Sequence, residues 1–138
     1  MLFQNSWKSV LDGRKTQIRY PVQAGDAAEP DESGHILRVT HQAEHGPPKV
    51  LFEVGQSYPV QAGVGQKTAG RIIVIALRRE PLQAISAADL PQELPAAPED
   101  AADITLETFQ AHWDSLHPTQ LWQDNPEVWV VAFKLPFG

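Results

Sequence analysis

The sequence predicts an α+β domain built on a small, strongly bent β-sheet or barrel with two or three flanking helices. Apolar residues fall in many short runs, and twelve prolines and nine glycines divide the 138 residues into short elements. Helical spacing is clear in only two stretches. The length suits one domain over residues 1–138 and leaves no room for a second core of ordinary size.

Ser6–Asp12 reads as a short amphipathic helix, with Trp7, Val10 and Leu11 at i, i+3 and i+4. Asn5 or Ser6 can cap its start, and Gly13 stands where a C′ glycine belongs. Lys15–Pro21 is extended, because Pro21 disfavours helix at Tyr20. Residues 24–34 lack periodicity and are rich in turn formers, so they read as a mobile loop. Strands follow at His35–His41, Lys49–Val54 and Tyr58–Gln61, separated by Pro47-Pro48 and Gly55-Gln56. Arg71–Arg78 is the clearest strand; it is apolar on both faces, which places it centrally or inside a barrel. Pro91–Asp103, built of Pro, Ala, Glu and Asp, reads as irregular surface and a second mobile loop. Thr105 can cap a helix carrying Leu106, Phe109, Trp113 and Leu116 on one stripe, ended by His117-Pro118. Asn125-Pro126 is a turn, and Val128–Phe133 is the last strand.

The composition is that of a soluble globular protein, 42% hydrophobic and 20% charged. Without cysteine there is no disulfide, thiolate metal site or thiol nucleophile. The apolar run Ile72–Leu77 is far too short to cross a bilayer, and Met1–Ser6 has neither the basic nor the apolar region of a secretory signal. A cytoplasmic location with no membrane partner is the expectation. The net charge of −6 argues against a general polyanion binder. It is unevenly spread: residues 1–79 carry ten Lys/Arg against seven Asp/Glu, and residues 80–138 carry one against ten. A local basic surface from the first part is compatible with that split, with acidic surface elsewhere.

Gly13-Arg14-Lys15-Thr16-Gln17-Ile18-Arg19 carries the most chemistry. On an extended chain Lys15, Gln17 and Arg19 share one face. A compact ammonium and a planar guanidinium flanking an amide suit a phosphate plus a base edge. A solvated strand face is the other reading the spacing leaves open.

The order of features resembles the ASCH domain, a PUA-like β-barrel family, over essentially the whole chain. The resemblance runs from the helix into Gly13-Arg14-Lys15-Thr16, through Tyr58–Gly65, Gly70–Val74 and Arg78–Leu82, to the Phe109…Trp113 helix and Glu127–Phe133. The family motif G-x-K-x-x-E-x-R is thought to line a cleft that receives RNA or a nucleobase. Gly13 and Lys15 match it; Arg19 comes one residue early, and no glutamate lies between. One branch of small ASCH proteins hydrolyses the acetyl amide of N4-acetylcytidine with a lysine, a threonine three residues later and a downstream glutamate. The resemblance puts Lys15 in the lysine's place and Glu93 in the glutamate's. Ile18, or Gln17 if the register slips, stands where the threonine would, and neither can attack a carbonyl. Thr16 should point to the opposite strand face. Other ASCH proteins look like ribonucleases, in which a lysine could stabilise the transition state.

The remaining motifs weigh less. His41 and His45, with His35 upstream, lie on a strand and turn without fixed metal geometry, so no metal or other cofactor is expected. His112 and His117 flank an apolar helix stripe and read as surface hydrogen-bonding groups. Gly63–Arg71 lacks the order of a phosphate loop and leads into a strand, which excludes nucleoside triphosphate binding of that type. Its Lys67 and Arg71 are either a second lip of the cleft or part of a plain hairpin connection. Trp7, Trp113 and Trp129 read as core, whereas Trp122 is uncommitted.

These readings favour a module that binds RNA or a modified nucleoside through Gly13, Lys15, Thr16, Gln17 and Arg19, with Lys67 and Arg71 opposite. The alternative is a hydrolase, a ribonuclease or an N4-acetylcytidine amidohydrolase, in which Lys15 and Glu93 are catalytic. A third reading is a protein-interaction module working through the acidic second half.

Overall fold

The computed structural model describes residues 7–61, 63, 65, 67–93 and 105–136. Three helices and seven strands are present among them: α1 Trp7–Leu11, β1 Gln17–Pro21, β2 Asp26–Pro30, β3 Ile36–His41, β4 Lys49–Glu53, β5 Ser57–Gln61, β6 Thr68–Pro81, α2 Leu90–Glu93, α3 Leu106–Leu116 and β7 Glu127–Lys134. Single 3-10 turns at Leu82–Ala84 and Trp122–Asp124 follow β6 and precede β7.

The strands form two antiparallel sheets, β1-β7-β6-β5 and β2-β3-β4, and not a closed barrel. β7 lies second in the larger sheet and is buried on both faces. Trp129 and Val131 pack with Val39, Phe52, Val74 and Leu77, joining the two sheets. Phe133, on the same face, packs with Val10 of α1, Val60 and Ile72. Val128 and Val130 point the other way, onto Leu82 and the Phe109 and Trp113 stripe of α3. Thr105 caps α3 by accepting from the Thr108 amide at 3.2 Å.

Three sequence expectations change. Residues 24–34 are not one loop: β2 occupies Asp26–Pro30 and pairs with β3 from Asp26↔His41 onward. Beyond Asp26 its residues are exposed and carry no apolar alternation, so there the backbone ladder holds it. β6 is longer than Arg71–Arg78 and is not apolar-buried on both faces. Ile72 and Val74 are buried and Ile75 is 48% exposed by ordinary alternation, and an irregularity between Val74 and Ala76 then shifts the parity so that Leu77 is buried in place of Ala76. The proposed loop at 91–103 begins as the end of α2, and residues 94–103 lie outside the described residues.

Candidate functional site

Gly13 ends α1 with φ +82°, a conformation that costs glycine little, and turns the chain into β1. The amides of Arg14 and Lys15 both donate to the Ser9 carbonyl, so the turn is fixed from the helix side. β1 then alternates as expected. Ile18 packs into the core beside β7, while Lys15, Gln17 and Arg19 leave on the α3 side and are 4%, 6% and 2% exposed. Arg19 lies opposite Val130, and Val130 opposite Arg78, so a row crosses three strands on that face.

The face is therefore shared, as the spacing predicts, but it is neither solvated nor open. The chain after β6 closes over it. The Lys15 ammonium donates to the Glu93 carbonyl and stands 3.9 Å from the Glu93 carboxylate. Arg19 Nη1 donates to Glu93 Oε2 at 3.0 Å and to Gln17 Oε1 at 3.1 Å. Its backbone amide donates to Glu93 Oε1 at 3.1 Å. Arg19 Nη2 reaches Asp89 at 3.4 Å and Glu80 at 3.5 Å. Gln17 Nε2 donates to Asp89 Oδ1 and Gln92 Oε1. Arg78, at the exposed edge, donates to Glu80 at 2.6 Å and Asp89 at 3.2 Å. Three cations, Lys15, Arg19 and Arg78, meet three carboxylates, Glu80, Asp89 and Glu93.

The ionisation states follow from this arrangement. Burial lowers the Lys15 pKa, and the Arg19 charge works in the same direction against the pull of Glu93. Burial works against the ionised form of Asp89, but bonds from Gln17 and Ser86 and the Arg19 charge hold its carboxyl below the ordinary value. The pKa of His112 of α3 is lowered by burial and by the charge of Lys15, with Glu93 opposing.

Lys15, Gln17, Arg19 and Glu93 thus come together across more than seventy residues of chain. Thr16 stands just before β1, and its hydroxyl donates to Gln92 Oε1 at 3.2 Å, the same oxygen that accepts from Gln17 Nε2. Lys67 is exposed, and Arg71 hydrogen-bonds Ser57 on β5. Among the described residues, no hydrogen bond or ion pair joins Lys67 or Arg71 to the Lys15–Arg19 group. No local pattern in the sequence marks Asp89, Glu80 or Gln92 as partners of this group. No group of three metal-ligating side chains exists among the described residues, and His41 is instead bonded to Asp26 at 2.7 Å.

No protein-family model matches the chain, and no curated protein matches it. Among solved structures it is similar to protein EF3133 from Enterococcus faecalis V583, described as of family DUF984. The TM-score is 0.55 at 15% identity, over 96% of this chain and 71% of that one. At that identity the likeness speaks for the fold.

Proposed function

We propose that this chain is a PUA-like module of the ASCH type that binds single-stranded RNA or a modified nucleoside at the β1 face. The observation that carries the reading is the convergence of Lys15, Gln17 and Arg19 on one face, with the amides of Gln17 and Gln92 beside the two cations. Amide side chains can read a base edge, and a guanidinium can take a phosphate or a carbonyl. Gly13 supplies the turn that presents Lys15, and Thr16 with Gln92 forms the rim. Lys67 and Arg71 belong to this reading only as outlying cations.

A hydrolase is the second reading, favoured by the buried Lys15 ammonium beside the Glu93 carboxylate. Its weakness is the nucleophile. The Thr16 hydroxyl is held by Gln92 Oε1, and no general base is bonded to it among the described residues, so water would have to attack.

The test is titration of a labelled single-stranded RNA at low salt, read on native and denaturing gels, with N4-acetylcytidine followed in parallel by chromatography. Wild type should bind, Lys15→Ala should lose at least about tenfold, and Lys134→Ala should behave as wild type. Circular dichroism verifies that the Lys15 variant is folded. Equal behaviour of the two variants would remove the β1 face from the reading. Strand scission or deacetylation that vanishes in Glu93→Gln would move the function to the hydrolase.

A further inference from the structure

Nearly every group that closes the β1 face comes from one stretch of chain, Ser86–Glu93. Glu93 engages Lys15 and Arg19; Asp89 engages Gln17, Arg19 and Arg78; the Gln92 carbonyl takes the Thr16 amide at 2.9 Å. The stretch has little apolar anchorage of its own. Leu90 is partly buried against the α3 cluster, while Pro91 and Gln92 are exposed. A short segment held chiefly by polar bonds opens at lower free energy than the core does.

The carboxylates hold the cations without saturating them. Arg19 Nε is buried with no hydrogen-bond partner, and the Nη2 contacts, at 3.4 and 3.5 Å, lie at the long limit of a hydrogen bond. A guanidinium with one unspent donor and two stretched contacts is placed to take another anion's oxygens once those carboxylates withdraw.

We infer that Ser86–Glu93 is an internal competitor of the ligand, with Asp89 and Glu93 occupying the cations that a phosphodiester of single-stranded RNA engages when the segment swings away. The inference rests on the proposed RNA-binding reading. The closed form binds no phosphate, so the measured affinity is the intrinsic affinity reduced by the fraction open.

The experiment compares wild type with the double variant Asp89→Asn/Glu93→Gln, which keeps side-chain size and one acceptor oxygen at each position but removes both charges. The probe is a fluorescein-labelled single-stranded RNA at low salt. The variant should bind at least about tenfold more tightly, because closure no longer competes. In wild type, saturating RNA should speed hydrogen exchange at the Thr16 amide, which is bonded to Gln92 only while the segment is shut. If wild type binds and the variant binds no better, the competitor is refuted and the RNA reading survives. If neither binds, both fall together. Should the double variant not fold, Asp89→Asn and the wild-type exchange measurement decide: a Thr16 amide that RNA slows or leaves unchanged refutes the competitor.

Discussion

Arg19 is the residue on which the site turns. Its side chain is fully buried, and its partners Glu80, Asp89 and Glu93 lie 61 to 74 positions away. Period-two alternation in Lys15-Thr16-Gln17-Ile18-Arg19 is enough to put Lys15, Gln17 and Arg19 on one face and Ile18 on the other. It cannot say whether water or protein faces them, since strand geometry is the same in both cases. The resemblance singles out Glu93 as a catalytic acid and not as the ion-pair partner of Arg19; Asp89 and Glu80 were not legible, because long-range ion pairs leave no spacing signal. Breaking a buried pair leaves an uncompensated charge, at a cost of about 3–5 kcal/mol. Arg19→Met should therefore lose most of that amount in urea denaturation, with Glu93 left facing Lys15 alone. Arg71→Met, at an exposed arginine, should stay within about 0.5 kcal/mol of wild type. Equal effects would mean that the cluster is not closed in solution.

At the scale of elements, legibility followed the apolar pattern. α3 was readable because a capping threonine precedes a periodic stripe, and β7 because its apolar run is continuous. β2 and α2 were not readable: one has no buried face, and the other is a four-residue turn containing Pro91. What fixes the start of β2 is polar. The Asp26 carboxylate, 2% exposed, accepts from the Gln23 amide at 2.9 Å and from Trp129 Nε1 at 3.0 Å, and pairs with His41 at 2.7 Å. Next to it Gly25 has φ +93°, and a Cβ there would stand 2.4 Å from the Gln42 carbonyl oxygen. Asp26 thus ties the smaller sheet to the central strand of the larger one. Burial disfavours its charge, yet the bonds from Gln23, Trp129 and His41 prevail and hold its pKa below the ordinary 3.8. A carboxyl with a lowered folded pKa stabilises the fold above its unfolded value, and that stabilisation is lost as pH falls through the folded one. Asp26→Asn should accordingly be less stable than wild type at pH 7, with the gap narrowing below about pH 4. Thermal melts from pH 7 to pH 2.5 check this; a constant gap would leave the ionised carboxylate without a role in docking the sheets.

For the molecule as a whole, the charge asymmetry along the sequence has a spatial counterpart. The basic motif of the first part lies against acids of the second, so a chain of net charge −6 contains a basic face that is neutralised from within. The sequence showed that the two charge populations exist but not that they meet, because meeting depends on β6 delivering Ser86–Glu93 back over β1. This arrangement sets how binding should respond to salt. A cation that neutralises a phosphate of single-stranded nucleic acid ordinarily releases condensed counterions, giving a slope of about −0.7 per contact in log K against log salt. Here each cation that turns to a phosphate leaves a carboxylate behind, and that carboxylate gathers cations from solution as the RNA sheds them. The two effects oppose, so wild type should show a slope near zero for the contacts made by Lys15 and Arg19. In Asp89→Asn/Glu93→Gln only the long Glu80 contact of Arg19 is left behind, and two such contacts should restore a slope of up to about −1.4. Titrations of the same RNA from about 25 to 300 mM KCl, a range spanning Debye lengths of about 20 to 6 Å, separate the cases. A wild-type slope as steep as the variant's would show that the phosphates meet cations other than those held by Asp89 and Glu93, and the face would have to be sought elsewhere on the first seventy-nine residues.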